Sequence, residues 1–339
     1  MTAAVPRGLG WPEAQEIPGG DGLGWPAQHS DVSRETSPQV GEPSPGRSAE
    51  PVGELPPIAA AAHQAVRVTQ ERANRSFPRP TSRRVICVAN QKGGVGKTTT
   101  AVNVSAALAL TGSRVLLIDC DPQGNASTAL DVDHQAGRPS TYDVLVDGTA
   151  LSEVCVPVNG IDGLLCVPAT IDLAGAEIEL VPMAARERRL ADAIEAHSAE
   201  LDYVLIDCPP SLGLLTVNAL VAAREVLIPI QCEFYALEGL GQLVRNVDLV
   251  RAHLNPTLRV GGIVLTMYDA RTRLADQVAS EVRAHFGELV LDTLVPRSVR
   301  ISEAPGYGQP VMTYDPASRG ATSYFEVARE IAARSTSDA

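Results

Sequence analysis

Lysine is almost absent from this chain. Of its 28 basic residues, 26 are arginine and only Lys92 and Lys97 are lysine, both inside one eight-residue stretch. A compact ammonium fits between phosphate oxygens and a backbone cradle where a planar guanidinium does not, so this pair singles out residues 92–99. Aromatic residues are also scarce, at 4%, and both tryptophans fall outside the regularly patterned part of the chain. No run approaches the roughly 18 consecutive apolar residues of a membrane span. The N-terminus lacks a basic start followed by an apolar run, so a cytoplasmic protein is expected. The six cysteines form no C-x-x-C pair, and the six histidines show no metal-ligand spacing. A disulfide framework and a zinc site are thereby disfavoured, and the cysteines read as small apolar residues of a reducing compartment.

Residues 1–82 are rich in Pro, Gly, Ser and Glu and have no sustained period of 2 or 3.6, which predicts a disordered extension. It contains the repeat Gly8-Leu9-Gly10-Trp11-Pro12 and Gly22-Leu23-Gly24-Trp25-Pro26, readable as a docking anchor or as drift in a biased tail. Charge divides the chain unevenly. Three arginines against eight acids give residues 1–62 a net −5, while six arginines against Glu71 give residues 63–84 a net +5. The body from Val85 onward therefore carries the whole formal −12. The basic collar reads either as a contact for DNA phosphates or as a solvated linker.

From residue 83 to 339 the pattern becomes short apolar runs alternating with longer amphipathic ones. Strands are predicted at 85–89, 115–119, 164–167, 203–207, 226–230, 262–267 and 289–294. Helices are predicted at 98–110, 186–197, 236–253 and 274–286. Such alternation predicts an α/β fold, a mostly parallel twisted sheet covered by helices on both faces, with ligands at the carboxyl ends of the strands.

The loop after the first strand carries the sharpest chemistry. Gly93, Gly94, Val95 and Gly96 let the backbone turn its N–H groups toward phosphate, and Lys97, Thr98 and Thr99 open a helix whose N-terminus favours anions. Lys97 is placed for the β- and γ-phosphates of ATP, and the Thr98 hydroxyl for Mg²⁺. Two further strands end in acids: Asp119 and Asp121 in Asp119-Cys120-Asp121-Pro122-Gln123-Gly124-Asn125, and Asp207 before Cys208-Pro209-Pro210-Ser211. Acids often cap helices after strands, but three of them beside a P-loop point to a P-loop NTPase.

The ordinary P-loop has glycine at the position of Gln91, followed here by Lys92. Lys92 to Thr98 instead resembles the deviant Walker A loop, K-G-G-x-G-K-[ST], of the ParA/MinD family. The similarity runs from Val85 to Ala333 and is strongest to chromosomal ParA (Soj-like) partition ATPases, through stretches such as Thr266-Met267-Tyr268-Asp269 and Ser302-Glu303-Ala304-Pro305. The resemblance implies a slow, partner-stimulated ATPase in which Lys92 crosses a homodimer interface to the partner's ATP and Asp121 positions the attacking water. Asp207 would hold a Mg²⁺-bound water. Pro296 and Ser298 would meet the nucleotide base, with Ser298 standing where Asn is common. Arg271 and Arg300 would bind double-stranded DNA without sequence preference, and a ParB-like centromere-binding protein would stimulate hydrolysis and release. A nucleoid-associated protein without stable membrane association is implied, since the tail from Ile331 to Ala339 lacks the large apolar residues of a MinD-like membrane helix. The alternative is a ParA/MinD-like positioning ATPase for another cargo.

Overall fold

The structure, a computed structural model, describes residues 64–71, 75–233 and 236–334. The tryptophan repeat and the acidic stretch 1–62 lie outside the described residues.

Strands β1 (Arg84–Val88), β2 (Val115–Asp119), β3 (Val156–Pro157), β4 (Leu164–Val167), β5 (Tyr203–Asp207), β6 (Glu225–Gln231), β7 (Arg259–Tyr268) and β8 (Val290–Pro296) form one sheet in the order β3-β4-β2-β5-β1-β6-β7-β8. Every pairing is parallel except that of β3 on β4. All seven expected strands are present. The eighth, β3, is a two-residue edge strand ending in Pro157, too short to leave a periodic signal. The principal helices are α1 (Lys97–Leu110), α2 (Asn125–Ala129), α3 (Leu173–Glu179), α4 (Arg189–Ala196), α5 (Leu214–Ala222), α6 (Ala236–His253), α7 (Arg273–Phe286), α8 (Val299–Glu303) and α9 (Arg319–Arg334).

The central strands are buried along their whole length, as a sheet covered on both faces requires. Their side chains alternate between two cores. Val85, Cys87, Leu116, Ile118, Val204 and Ile206 join residues of α4 to α7 on one face. Ile86, Val88, Val115, Leu117, Tyr203 and Leu205 join residues of α1 and α9 on the other. Arg84 ties the second layer to the sheet. Its guanidinium donates to both Glu225 oxygens at 2.8 and 2.7 Å and to the Ile331 carbonyl at 2.7 Å.

The structure revises the reading of the end of the extension. Residues 64–71 are helical, and residues 75–82, expected to be disordered, lie against the domain. Phe77 is buried, with its ring 5.0 Å from that of Phe325, and Arg79 donates to the Gly112 carbonyl at 2.6 Å. One buried aromatic among Arg, Pro and Ser is too sparse to register in a composition window, yet it is enough to anchor eight residues. Arg75 lies 3.9 Å from Glu326 and Arg83 donates to the His197 carbonyl, so these two collar arginines have partners on the chain's own surface.

The chain leaves β1 to build β2, β4 and β3 on one side, returns to insert β5, then builds β6 to β8 on the other. The carboxyl ends of β1, β2 and β5 are therefore neighbours at the switch point, where doubly wound sheets bind ligands.

Candidate active site

The loop after β1 is pinned before it turns. Asn90 donates through Nδ2 to the Pro229 carbonyl at 2.8 Å and accepts from the Lys92 amide at 3.0 Å. Gly94 and Gly96 lie at φ of +75° and +87°, where any other residue would be strained. The Thr266 hydroxyl, from β7, donates to the Val95 carbonyl at 2.8 Å and fixes the middle of the loop. A Cβ added at Gly93 or Gly94 would meet no atom within 4 Å, so the space over the loop is open. Helix α1 then starts with no side-chain cap and no acid in its first turn. Its first N–H groups remain available to an anion.

Three carboxyls and one ammonium surround this helix end. Lys97 is only 7% exposed, and its Nζ donates to the Lys92 carbonyl at 3.3 Å. Burial lowers its pKa while the Asp207 and Asp121 carboxylates pull it back up. Asp207 is wholly buried, and neither of its oxygens meets a hydrogen-bond partner at full geometry. Burial and neighbouring Asp119, its register partner on β2, push its pKa well above the usual carboxylate range; Thr98 and Lys97 offset only part of this. Asp119 is likewise pushed up, to about 6, by burial against its hydrogen bonds from Ser127 and Asp121. Asp121 is 7% exposed and accepts from the Gln123 amide at 3.0 Å.

A cavity of about 490 Å³ opens here, within the size range of small-ligand sites. Gly93, Gly94, Gly96, Lys97, Thr98 and Thr99 line one wall and Asp121 another. Of the remaining residues expected at the nucleotide, Val95 is buried beneath the loop, and Lys92 does not line the cavity: its Nζ pairs with Glu233 at 3.1 Å. Pro296 ends β8 beside Tyr268, and Ser298 precedes α8; neither lines the cavity. That side is closed instead by Met267, Pro305 and Gln309. Met267 sits at φ +50°, a strained conformation for a residue with a side chain.

An orphaned buried carboxylate beside a hydroxyl and an ammonium is a costly arrangement unless something pairs with it. A hard divalent cation fits Asp207 and Thr98. Among the described residues no cluster of three or more His, Cys, Asp or Glu could hold a metal alone. Mg²⁺ does not need one, because it keeps waters and takes phosphate oxygens.

Arg271 and Arg300 stand at the carboxyl ends of β7 and β8, at the far side of the same sheet edge. Both are exposed, and both are already paired. Arg271, 88% exposed at its side chain, grips Asp269 with two bonds of 2.9 and 2.8 Å and, as the largest cause, holds that carboxyl down to about 2. Arg300 lies 3.1 Å from Glu303 and 3.3 Å from Asp315. Arg297 adds a third cation near Asp269. No helix among the described residues is long and apolar enough to cross a membrane.

Similarity to known proteins follows this geometry. The AAA domain family matches residues 83–260. The sporulation initiation inhibitor protein Soj of Bacillus subtilis is 53% identical over 250 residues, covering 74% of this chain and 98% of that protein. The chromosome partitioning protein ParA of Caulobacter vibrioides is 54% identical over 253 residues, covering 74% and 94%. Among solved structures, cobyrinic acid a,c-diamide synthase from Mycobacterium smegmatis with bound ADP and magnesium superposes with a TM-score of 0.65 at 40% identity, covering 76% of this chain and 96% of that one. The septum site-determining protein MinD from Pyrococcus horikoshii, complexed with Mg-ADP, gives 0.59 at 26% identity, covering 74% and 96%.

Proposed function

Because the chain belongs to the ParA/MinD family of ATPases, with the relatives named Soj and ParA above half identity, we propose that it is a chromosome- or plasmid-partition ATPase. In this reading two chains, each holding ATP and Mg²⁺, close on one another, bind DNA without sequence preference, and are released when a ParB-like partner stimulates hydrolysis.

The observation that carries the reading is the cavity at the N-terminus of α1, bounded by Lys97, Thr98 and Asp121 with the unpartnered Asp207 carboxylate beside it. Backbone N–H groups of residues 93–99 would hold the phosphates, and Lys97 would neutralise the β- and γ-oxygens. Thr98 and Asp207 would hold Mg²⁺, which supplies charge neutralisation at the phosphate when bound. Asp121 would orient the attacking water, leaving positioning and electrostatics as the main sources of rate. Lys92 keeps its ammonium outside its own cavity, which suits a contact made across a dimer. With a body of net −12, attraction to DNA has to come from a local patch such as Arg271, Arg297 and Arg300, doubled when two chains associate.

The decisive experiment measures ATP hydrolysis with DNA, with a candidate ParB, and with both. Synergy of the two is expected. An Asp121→Ala dimer that ignored DNA but bound liposomes would overturn the partition reading in favour of membrane positioning. A second reading comes from the 40% identical structure named as an amide synthase. Cobyrinic acid and an ammonia donor are therefore added in a parallel assay, and nucleotide turnover that depends on them and not on DNA would favour that chemistry.

A further inference from the structure

Of the three acids at the ends of β2 and β5, Asp119 is the one for which the proposed reaction has no use, and it does not line the cavity. It is nonetheless wholly buried, and its carboxylate is fully engaged. Oδ1 accepts from the Asp121 amide at 3.1 Å, while Oδ2 accepts from the Ser127 amide at 2.9 Å and from the Ser127 hydroxyl at 2.7 Å. One side chain thus holds both ends of the turn 121–127 that carries Asp121. The Ser127 oxygen in turn accepts from the Ala169 amide at 3.1 Å, so the turn is also tied to the end of β4. Gly124, in the middle, has φ +62°, and a Cβ there would lie 2.9 Å from the Ala169 carbonyl. The turn has nowhere to relax while these bonds hold.

Resting on the reading that Asp121 orients the hydrolytic water, we propose that Asp119, with Ser127, is the positioning element that holds Asp121 at the phosphate end of the cavity. The carboxylate is suited to this because it only accepts, and all three groups around it donate. An asparagine of the same shape would turn an NH₂ toward at least one of those donors. The phosphate-cradling loop follows β1, on a different strand, and the turn supplies only the opposite wall through Asp121, Gln123 and Asn125, so loosening it should affect hydrolysis far more than binding.

The test is steady-state hydrolysis and fluorescent-ATP binding on the full chain, with melting temperature as a control for folding. Asp119→Asn is expected to lower kcat by at least tenfold with KM and nucleotide Kd within about threefold of wild type, since a misplacement of about 1 Å in an active site costs on the order of 100-fold. Ser127→Ala removes one donor, leaves the carboxylate in place, and is expected to give a smaller loss of kcat, roughly tenfold or less. In an Asp121→Ala background, Asp119→Asn should change the residual rate no further, because its effect runs through Asp121. A KM or Kd that rises in parallel with the fall in kcat, or an additive loss in the double variant, would overturn the inference. Should Asp119→Asn fail to fold, Ser127→Ala decides by the same criteria. If Asp121→Ala itself hydrolyses ATP at the wild-type rate, it is the assignment of Asp121 that fails; if only Asp119→Asn and Ser127→Ala are silent, it is this positioning role.

Discussion

The sheet presents two very different regions along one edge. At the ends of β1, β2 and β5, Lys97, Asp119, Asp121 and Asp207 are all at most 7% exposed, and a buried network holds Asp119 and Asp121. At the ends of β7 and β8, Arg271 and Arg300 stand in solvent and are held only by local carboxylates. The first region is built from groups of one chain buried against one another, whereas the second carries exposed cations paired with neighbouring carboxylates. A polyanion must displace Asp269, Glu303 and Asp315 to use those arginines. Binding through the second region should be weak per chain, dependent on salt, and gained by bringing two patches together.

Perturbing the first region should produce the largest effects. Lys97→Ala removes a buried cation whose loss leaves phosphate charge unpaired, and nucleotide affinity should fall by about 100-fold or more in a fluorescent-ATP titration. Affinity within a few-fold of wild type would mean that the nucleotide lies elsewhere. Asp121→Ala should bind ATP normally but lose on the order of 100-fold or more in hydrolysis, as expected for removal of a group that positions or accepts a proton. Trapped ATP-bound dimers should then be visible by light scattering.

In the second region the effects should be smaller and of either sign. Arg271→Glu should leave ATP turnover without DNA unchanged. It should weaken DNA binding by roughly tenfold and lower the salt slope by about one for each phosphate that the arginine no longer neutralises, read by polarisation of a labelled duplex at several salt concentrations. Asp269→Asn frees the same arginine and should do the opposite, strengthening DNA binding by up to about fivefold, since exposed ion pairs are weak. If Asp269→Asn weakened DNA binding, the carboxylate would be orienting Arg271 and not competing for it, and the contrast between the two regions would need redrawing.

Much of the first region can be read along the chain because its parts are contiguous. Gly94 and Gly96 announce left-handed backbone, Lys97 and Thr98 follow at fixed offsets, and Asp119 and Asp207 sit directly after apolar runs, with Asp121 two residues beyond the first of them. What surrounds them is less legible. Thr266 locks Val95 from a strand 171 residues away in sequence, and Ser127 clamps Asp119 from within a five-residue helix too short for periodicity to detect. Gln309 and Met267 reach the cavity only because β7 and the turn after α8 are folded back beside α1. The expectation that Pro296 and Ser298 meet the base rests on a local stretch, which does not reveal which neighbouring turn comes closest. Phe77 shows the same limit at the other end of the chain, since its partner Phe325 lies in the last helix.

By itself the sequence determined the alternation of strands and helices, the phosphate loop, and the acids at strand ends, because each depends on spacing within a few residues. Tertiary structure alone decided that Asp207 would be left without a hydrogen bond at full geometry, that Asp119 would be fully bonded, and that Lys92 would lie outside its own cavity. The reason is strand order: inserting β5 between β2 and β1 sets Asp207 opposite Asp119 and beside Lys97, so two buried carboxyls share one register position and only Asp119 finds donors in the turn that follows its own strand.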